Sequence, residues 1–157
     1  MADQIQYLTP EGLENLEKRL KELLEVRRPE VAQRLNRAME EGGDLSENAE
    51  YEDAKNVQAF IEGEIIRLES IIRSAQIIED AEGSDTVIIG SRVTVTEKGS
   101  REKELYHIVG SAEANPAEGK ISSESPMGKA LLGAKVSDKV AVKAPDGEII
   151  FTIKAIE

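Results

Sequence analysis

Residues 54–75 read AKNVQAFIEGEIIRLESIIRSA. Ala54, Val57, Ile61, Ile65, Leu68, Ile72 and Ala75 recur at alternating steps of three and four. That period lines apolar side chains along one side of a helix and predicts a heptad-like seam against a partner helix. The partner lies just upstream. Thr9 suits an N-cap and Pro10 the first helical position, where a missing N–H costs nothing. Leu13, Leu16, Leu20, Leu23 and Leu24 follow at helical spacing, and Val31, Leu35, Ala38 and Met39 carry the stripe onward. Pro29 interrupts the run and predicts a kink, with Arg27 and Arg28 reading as a solvated bend. Gly42 and Gly43 predict the stop. Two helices joined by so short a turn must run antiparallel. At about 1.5 Å per residue, arms of roughly 30 residues span roughly 45 Å. The first half is therefore a slender hairpin with residues 42–46 at one end. Its stability rests on the seam, so a polar change at Leu16 or Ile65 should be damaging.

The pattern changes near Asp80. Residues 1–80 carry 10 basic and 19 acidic side chains, and residues 81–157 carry 10 and 12. Ala81–Asp85 reads as a linker. Short β-branched runs follow at Thr86–Ile89, Arg92–Thr96, Glu104–Val109, Lys139–Lys143 and Glu148–Ile156, with Asp146-Gly147 as a hairpin turn. Met127–Leu132 predicts a short helix stopped by Gly133. The fold class is α+β in two domains: a helical hairpin over 1–80, then a mostly antiparallel β-sheet domain with one short helix over 81–157.

Composition narrows the function. The net charge is -11, which opposes coating nucleic acid, because phosphate binding runs on Lys and Arg. If nucleic acid is involved, a partner holds it. There is no Cys, which excludes thiolate metal sites and disulfides. No signal-like start or membrane-length apolar run is present, so the expected location is the cytoplasm, with no membrane partner. A monomer is expected.

The hairpin end concentrates charge of one sign. Glu40, Glu41, Asp44, Glu47, Glu50, Glu52 and Asp53 fall in one stretch without a Lys or Arg. Two readings stand open. Asp44 followed by Glu47 matches a capping box at the start of the second helix, where acids also suit the helix dipole. Alternatively the pair supplies two oxygens to Mg²⁺, which takes few protein carboxylates and leaves its other positions to water and phosphate. Such a half-site binds weakly alone and well only where a partner completes it. Asn48 and Tyr51 sit beside the pair; Asn48 suits a first-turn position or the positioning of substrate or water. Tyr51 suits packing at the hairpin end or contact with RNA.

The stretch GDLSENAEY, Gly43–Tyr51, resembles the tip motif of the GreA/GreB family of bacterial transcript-cleavage factors. RRPE at Arg27–Glu30 and SPMGKALLG at Ser125–Gly133 are similar to that family at matching places, and the resemblance covers essentially the whole chain. It implies an N-terminal antiparallel coiled coil and an FKBP-like C-terminal domain. It implies docking at the rim of the RNA polymerase secondary channel, through a region matching Ser125, Pro126 and Met127. The tip then approaches the polymerase's catalytic Mg²⁺. Asp44 and Glu47 match the functional tip acids, which help hold a second Mg²⁺ shared with polymerase and its attacking water. The reaction is hydrolysis of backtracked nascent RNA by the polymerase active centre, so the chain is an accessory factor and not itself an enzyme. A basic patch that contacts the RNA 3′ end would fall to Arg34, Arg37 and Lys55. Glu40 stands where a family member can carry Arg, which reduces that patch.

Other residues carry less. His107 is the sole histidine, lies in a predicted strand without a companion ligand, and reads as structural. The serines at 122, 123 and 125 lack a partner histidine for a hydrolase triad. The rival functions are a non-cleaving secondary-channel regulator, a structural coiled coil, and a prolyl isomerase, the last opposed by the few aromatics in residues 81–157.

Overall fold

The computed structural model describes residues 5–41, 43, 47–78 and 84–157. The chain divides into two compact units, one built from Leu13–Ser74 and the other from Gln4–Gly12 with Ala75–Glu157. The second unit thus takes in both a segment from the chain's start and the residues that follow the hairpin, where the composition change alone suggested a division near residue 80.

The first unit is a helical hairpin. Helix α1 (Pro10–Glu22) runs into a π-helical turn (Leu23–Arg27), then α2 (Arg28–Glu40), and α3 (Ala49–Arg73) returns alongside. The sequence predicted a kink at Pro29. The chain instead widens one turn ahead of it, and the Arg28 N–H bonds the carbonyl of Leu23. Proline has no N–H to give its own turn, and a π-helical turn is one way a helix absorbs that loss. Leu23, Val31, Leu35, Ala54, Ile61, Ile65 and Leu68 form the seam. Leu16, Leu20, Leu24, Tyr51 and Val57 pack against it only partly buried. Ala75 lies beyond the end of α3, in a strand.

Among the described residues three ion pairs bridge the hairpin: Arg19 to Glu64, Arg28 to Glu62 and Arg34 to Glu50. Arg28 grips Glu62 with both Nε and Nη2, at 2.8 and 2.7 Å, so it is more than a solvated bend. Exposed pairs of this kind contribute about 0–1 kcal/mol each. Their use is to fix register, since sliding one helix by a turn would break all three.

Among the described residues the second unit holds two sheets. Strands β1 (Gln6–Leu8) and β2 (Ala75–Ile77) pair in parallel. A larger sheet has the order β5-β4-β3-β7-β6. Its strands are β3 (Arg92–Glu97), β4 (Lys103–Val109), β5 (Lys120–Ser122), β6 (Lys139–Ala144) and β7 (Gly147–Ile156), with the helix α4 (Pro126–Leu131) before β6. All its ladders are antiparallel except β4–β5. Thr86–Ile89 is not a strand; Thr86 makes one isolated bridge to Lys135, and Val87 exchanges backbone bonds with Ala134 and Gly133. Val87, Val93, Val95, Ile108, Leu131, Phe151 and Ile153 make the core.

The start of α1 is held within this unit. Thr9 Oγ1 accepts from the Gly12 N–H at 3.0 Å, as the predicted cap. Thr9 also donates twice to Glu113, from its N–H at 2.7 Å and its hydroxyl at 2.6 Å. Gly110 lets the backbone at Tyr7 come so close that any Cβ would overlap the Tyr7 carbonyl.

His107 lies half-buried in β4, paired with Arg92 and Lys120 on neighbouring strands. Burial and then the Arg92 charge hold its pKa below the ordinary value, with Lys120 pushing the same way and Glu113 opposing. The folded state therefore binds fewer protons than the unfolded chain once pH falls below the unfolded value of about 6.5. Stability from this group is full above that pH and is lost as pH drops toward the lowered folded value. A His107→Gln variant should show a smaller drop in Tm between pH 7.5 and 5.5 than the parent, measured by circular dichroism; an equal drop in both would contradict this.

Candidate functional site at the hairpin end

The turn is organised by Asn48. This residue is extended, and its side-chain oxygen accepts from the Tyr51 N–H at 3.1 Å, which makes it the N-cap of α3. Its amide donates to the carbonyl of Ala38 at 2.9 Å. The last carbonyls of a helix and the first N–H groups of the next both lack partners in their own helix. One side chain meets one need on each side, so Asn48 staples α2 to α3 where the hairpin turns.

This overturns the capping-box reading of Asp44 and Glu47. The cap falls four residues after Asp44, and Glu47 precedes the helix rather than sitting in its first turn. Glu47 is exposed. Asp44 lies outside the described residues. Asn48→Ala should cost about 1–2 kcal/mol, combining loss of a cap with an unsatisfied helix-end carbonyl. Asn48→Asp keeps the acceptor and removes the donor, so it should cost less; urea unfolding followed at 222 nm ranks the two, and an Asn48→Asp variant as stable as the parent would deny the Ala38 bond a role, whereas equal costs would deny one to the cap on Tyr51.

The acids are not equivalent. Glu40, Glu41, Glu47, Glu50, Glu52 and Asp53 are all exposed. Glu50, however, takes the Arg34 Nε at 2.6 Å. That contact holds the Glu50 carboxyl below its usual pKa and raises Arg34. The sequence showed no cation within the acidic stretch; the cation arrives from one helix earlier, because antiparallel packing sets position 34 beside position 50. Arg34, a candidate for RNA contact, thus has its guanidinium engaged. Arg37 is exposed on α2. Lys55 lies 6.0 Å from the centre of the Tyr51 ring, and its amine is 3.5 Å from the Gln58 side-chain oxygen. Tyr51 packs against the hairpin seam. Among the described residues no group of three or more His, Cys, Asp or Glu is placed to hold a metal ion.

The second candidate region starts α4. Ser125 Oγ accepts from the Gly128 N–H at 3.0 Å and donates to the Ser122 carbonyl at 2.7 Å. It is the N-cap of a short helix, and Pro126 takes the first position, exposed. Met127 packs on the sheet core. Gly128 is buried, and a Cβ there would overlap the Ser122 carbonyl, so α4 lies hard against β5. No helix among the described residues is long and apolar enough to cross a membrane.

Comparison with known proteins agrees along the chain. Residues 6–77 match the family model described as transcription elongation factor, N-terminal, and residues 82–157 match that described as transcription elongation factor, GreA/GreB, C-terminal. Transcription elongation factor GreA of Roseiflexus castenholzii is 51% identical over 158 residues, covering 100% of both chains. GreA of Bacillus subtilis is 50% identical over 149 residues, covering 95% of this chain and 94% of its own. The crystal structure of GreA factor homolog 1 of Thermus thermophilus has 35% identity, a TM-score of 0.45, and coverage of 98% of this chain and 99% of that one. With both halves matched and relatives alike at half their positions over nearly their whole length, the chain belongs to the GreA/GreB family of transcription elongation factors.

Proposed function

We propose that this chain binds bacterial RNA polymerase through its secondary channel and stimulates the polymerase's Mg²⁺-dependent cleavage of backtracked nascent RNA. The observation that carries the reading is the hairpin turn, where Glu47 is exposed and precedes Asn48, the cap residue of the returning helix. Hydrolysis belongs to the polymerase active centre, and this chain acts there as an accessory factor in the cytoplasm. The sheet-bearing unit has the FKBP-like arrangement of the family and the hairpin its coiled-coil form. The region Ser125–Met127 docks at the channel rim, with Pro126 as its exposed member.

Asp44 and Glu47 are the residues that would hold a shared Mg²⁺. Their hard carboxylate oxygens suit that ion, and Glu47 is open to solvent. When bound between factor and polymerase, the ion supplies activation of a water and stabilisation of the leaving oxygen. The chain's own part is placement. Asn48 holds the turn between the helices. The Arg34–Glu50 pair neutralises one neighbouring acid, which leaves the negative charge of the tip to Asp44, Glu47 and the exposed acids around them. Lys55 and Arg37 remain candidates for the RNA 3′ end, with Tyr51 bracing the base of the turn.

The test is cleavage of 3′-extended, labelled RNA in a backtracked polymerase complex with Mg²⁺, with and without the protein. Shortened RNA that accumulates only with the protein is the expected result. No stimulation despite measured binding would replace this reading with a non-cleaving regulator of the channel.

A further inference from the structure

The face of the five-stranded sheet opposite its core has a charge opposed to that of the chain. The ladder registers assign alternate residues of each strand to that face. They put Arg92, Lys103, Lys120, Lys139 and Lys143 there, with Glu148 the one acid among those paired positions. The chain as a whole carries -11. Arg92, Lys103, Lys139 and Lys143 are exposed and take part in none of the described ion pairs, while Lys120 reaches Glu118 at 3.8 Å. The hairpin shows the contrast, since Arg19, Arg28 and Arg34 each bond a glutamate across it. Lys143 faces Glu148 and Arg92 exchanges backbone bonds with Glu157, but Lys103 and Lys139 face Thr96 and Thr152, so their field is left available to an outside partner. His107, on the same face, feels that field from Arg92 and Lys120.

Between these cations the face is apolar or weakly polar. Leu105 is 58% exposed, with Thr94 opposite it on β3. Ile150 and Ala141 pair on the β6–β7 side. An apolar centre with a charged rim is the pattern of a protein–protein interface. The paired positions of this face carry no Phe, Tyr or Trp on which a base could stack, and the net charge opposes a nucleic-acid partner.

We infer that the outer face of the five-stranded sheet is a second docking surface, fitted to an acidic protein surface of RNA polymerase with an apolar residue at its centre. The inference rests on the polymerase-binding reading above, and the surface is distinct from Ser125–Met127 at the start of α4. Charges at such a rim act mainly on association rate and salt dependence, and the apolar centre on residence time.

Fluorescently labelled full-length protein is titrated with core RNA polymerase at low and high salt. Lys103→Glu/Lys139→Glu, from opposite sides of the centre, should weaken binding about tenfold at low salt, mostly through slower association, with the gap narrowing at high salt. Lys18→Glu/Lys21→Glu makes the same charge change on the hairpin and should bind like the parent. Leu105→Ser should speed dissociation several-fold. Circular dichroism checks folding, and Lys103→Ala/Lys139→Ala should give a smaller loss in the same direction if the reversal variant is unfolded. A parent that binds while the sheet-face variants bind within about twofold of it would overturn the docking surface and leave the polymerase reading standing. A parent that does not bind polymerase would overturn the polymerase reading and the inference with it. Capture of a short RNA or DNA duplex that the reversal variant loses would make the face a nucleic-acid site and overturn the protein partner.

Discussion

Replacing Asp44 by Asn and Glu47 by Gln is expected to lower stimulated cleavage of backtracked RNA about a hundredfold or more. An amide keeps the shape of a carboxylate but loses its charge, and it is a poor ligand for a hard cation. Metal stabilisation of a transition state is worth several kcal/mol, and about 1.4 kcal/mol is a tenfold change in rate. Folding should be spared. Asn48, not Asp44, caps α3, and Glu47 is exposed outside the helix. Surface changes away from caps and cores usually fall within about 0.5 kcal/mol. The parent and the double variant should therefore unfold together in urea and bind polymerase alike, while only the parent shortens the RNA. Equal cleavage by both would remove metal delivery from the mechanism. A large loss of stability would mean that the turn depends on these acids after all.

Ile65→Ala should destabilise the hairpin by about 2–5 kcal/mol, whereas Leu16→Ala should cost about 1 kcal/mol. The sequence treated the two as equals, since both lie on the stripe. Ile65 is 2% exposed and enclosed by the seam, so truncation removes apolar contact and leaves a cavity. Leu16 is only partly buried at the seam's margin, where solvent can fill what is removed. Urea unfolding followed at 222 nm orders the two. A Leu16 cost equal to that of Ile65 would mean that this stretch of α1 is covered more deeply than its packing indicates. A thin seam has few such residues, so each one matters more than it would in a broad core.

The two long helices and the main strands were legible because each is long enough for its period to show. Thr9 and Pro10 announced the start of α1, and Asp146-Gly147 the β6–β7 hairpin. The family was legible from Gly43–Tyr51, Arg27–Glu30 and Ser125–Gly133, and the comparisons bear it out. Strands β1, β2 and β5 went unseen because each has three residues, too few for an alternation to register. Thr86–Ile89 has the β-branched composition of a strand, yet it bonds mainly to the loop after α4. At the tip, proximity in sequence suggested Asp44 and Glu47 as the cap. Asn48 took that place because its amide can serve both helices at once, and a carboxylate cannot donate.

What the sequence by itself determined is the periodic part: which residues face the hairpin seam, which face the sheet core, and that acids gather where the hairpin turns. These follow from local spacing and from the removal of apolar side chains from water. Only the tertiary structure decided the partnerships between distant positions. Glu113 meets Thr9 across 104 residues, and Arg34 meets Glu50 across 16. The sheet gathers Arg92, Lys103, Lys139 and Lys143 onto one face from separate strands. No local pattern encodes such meetings, because hydrogen bonds and ion pairs depend on distance in space, and the packing of whole elements sets that distance.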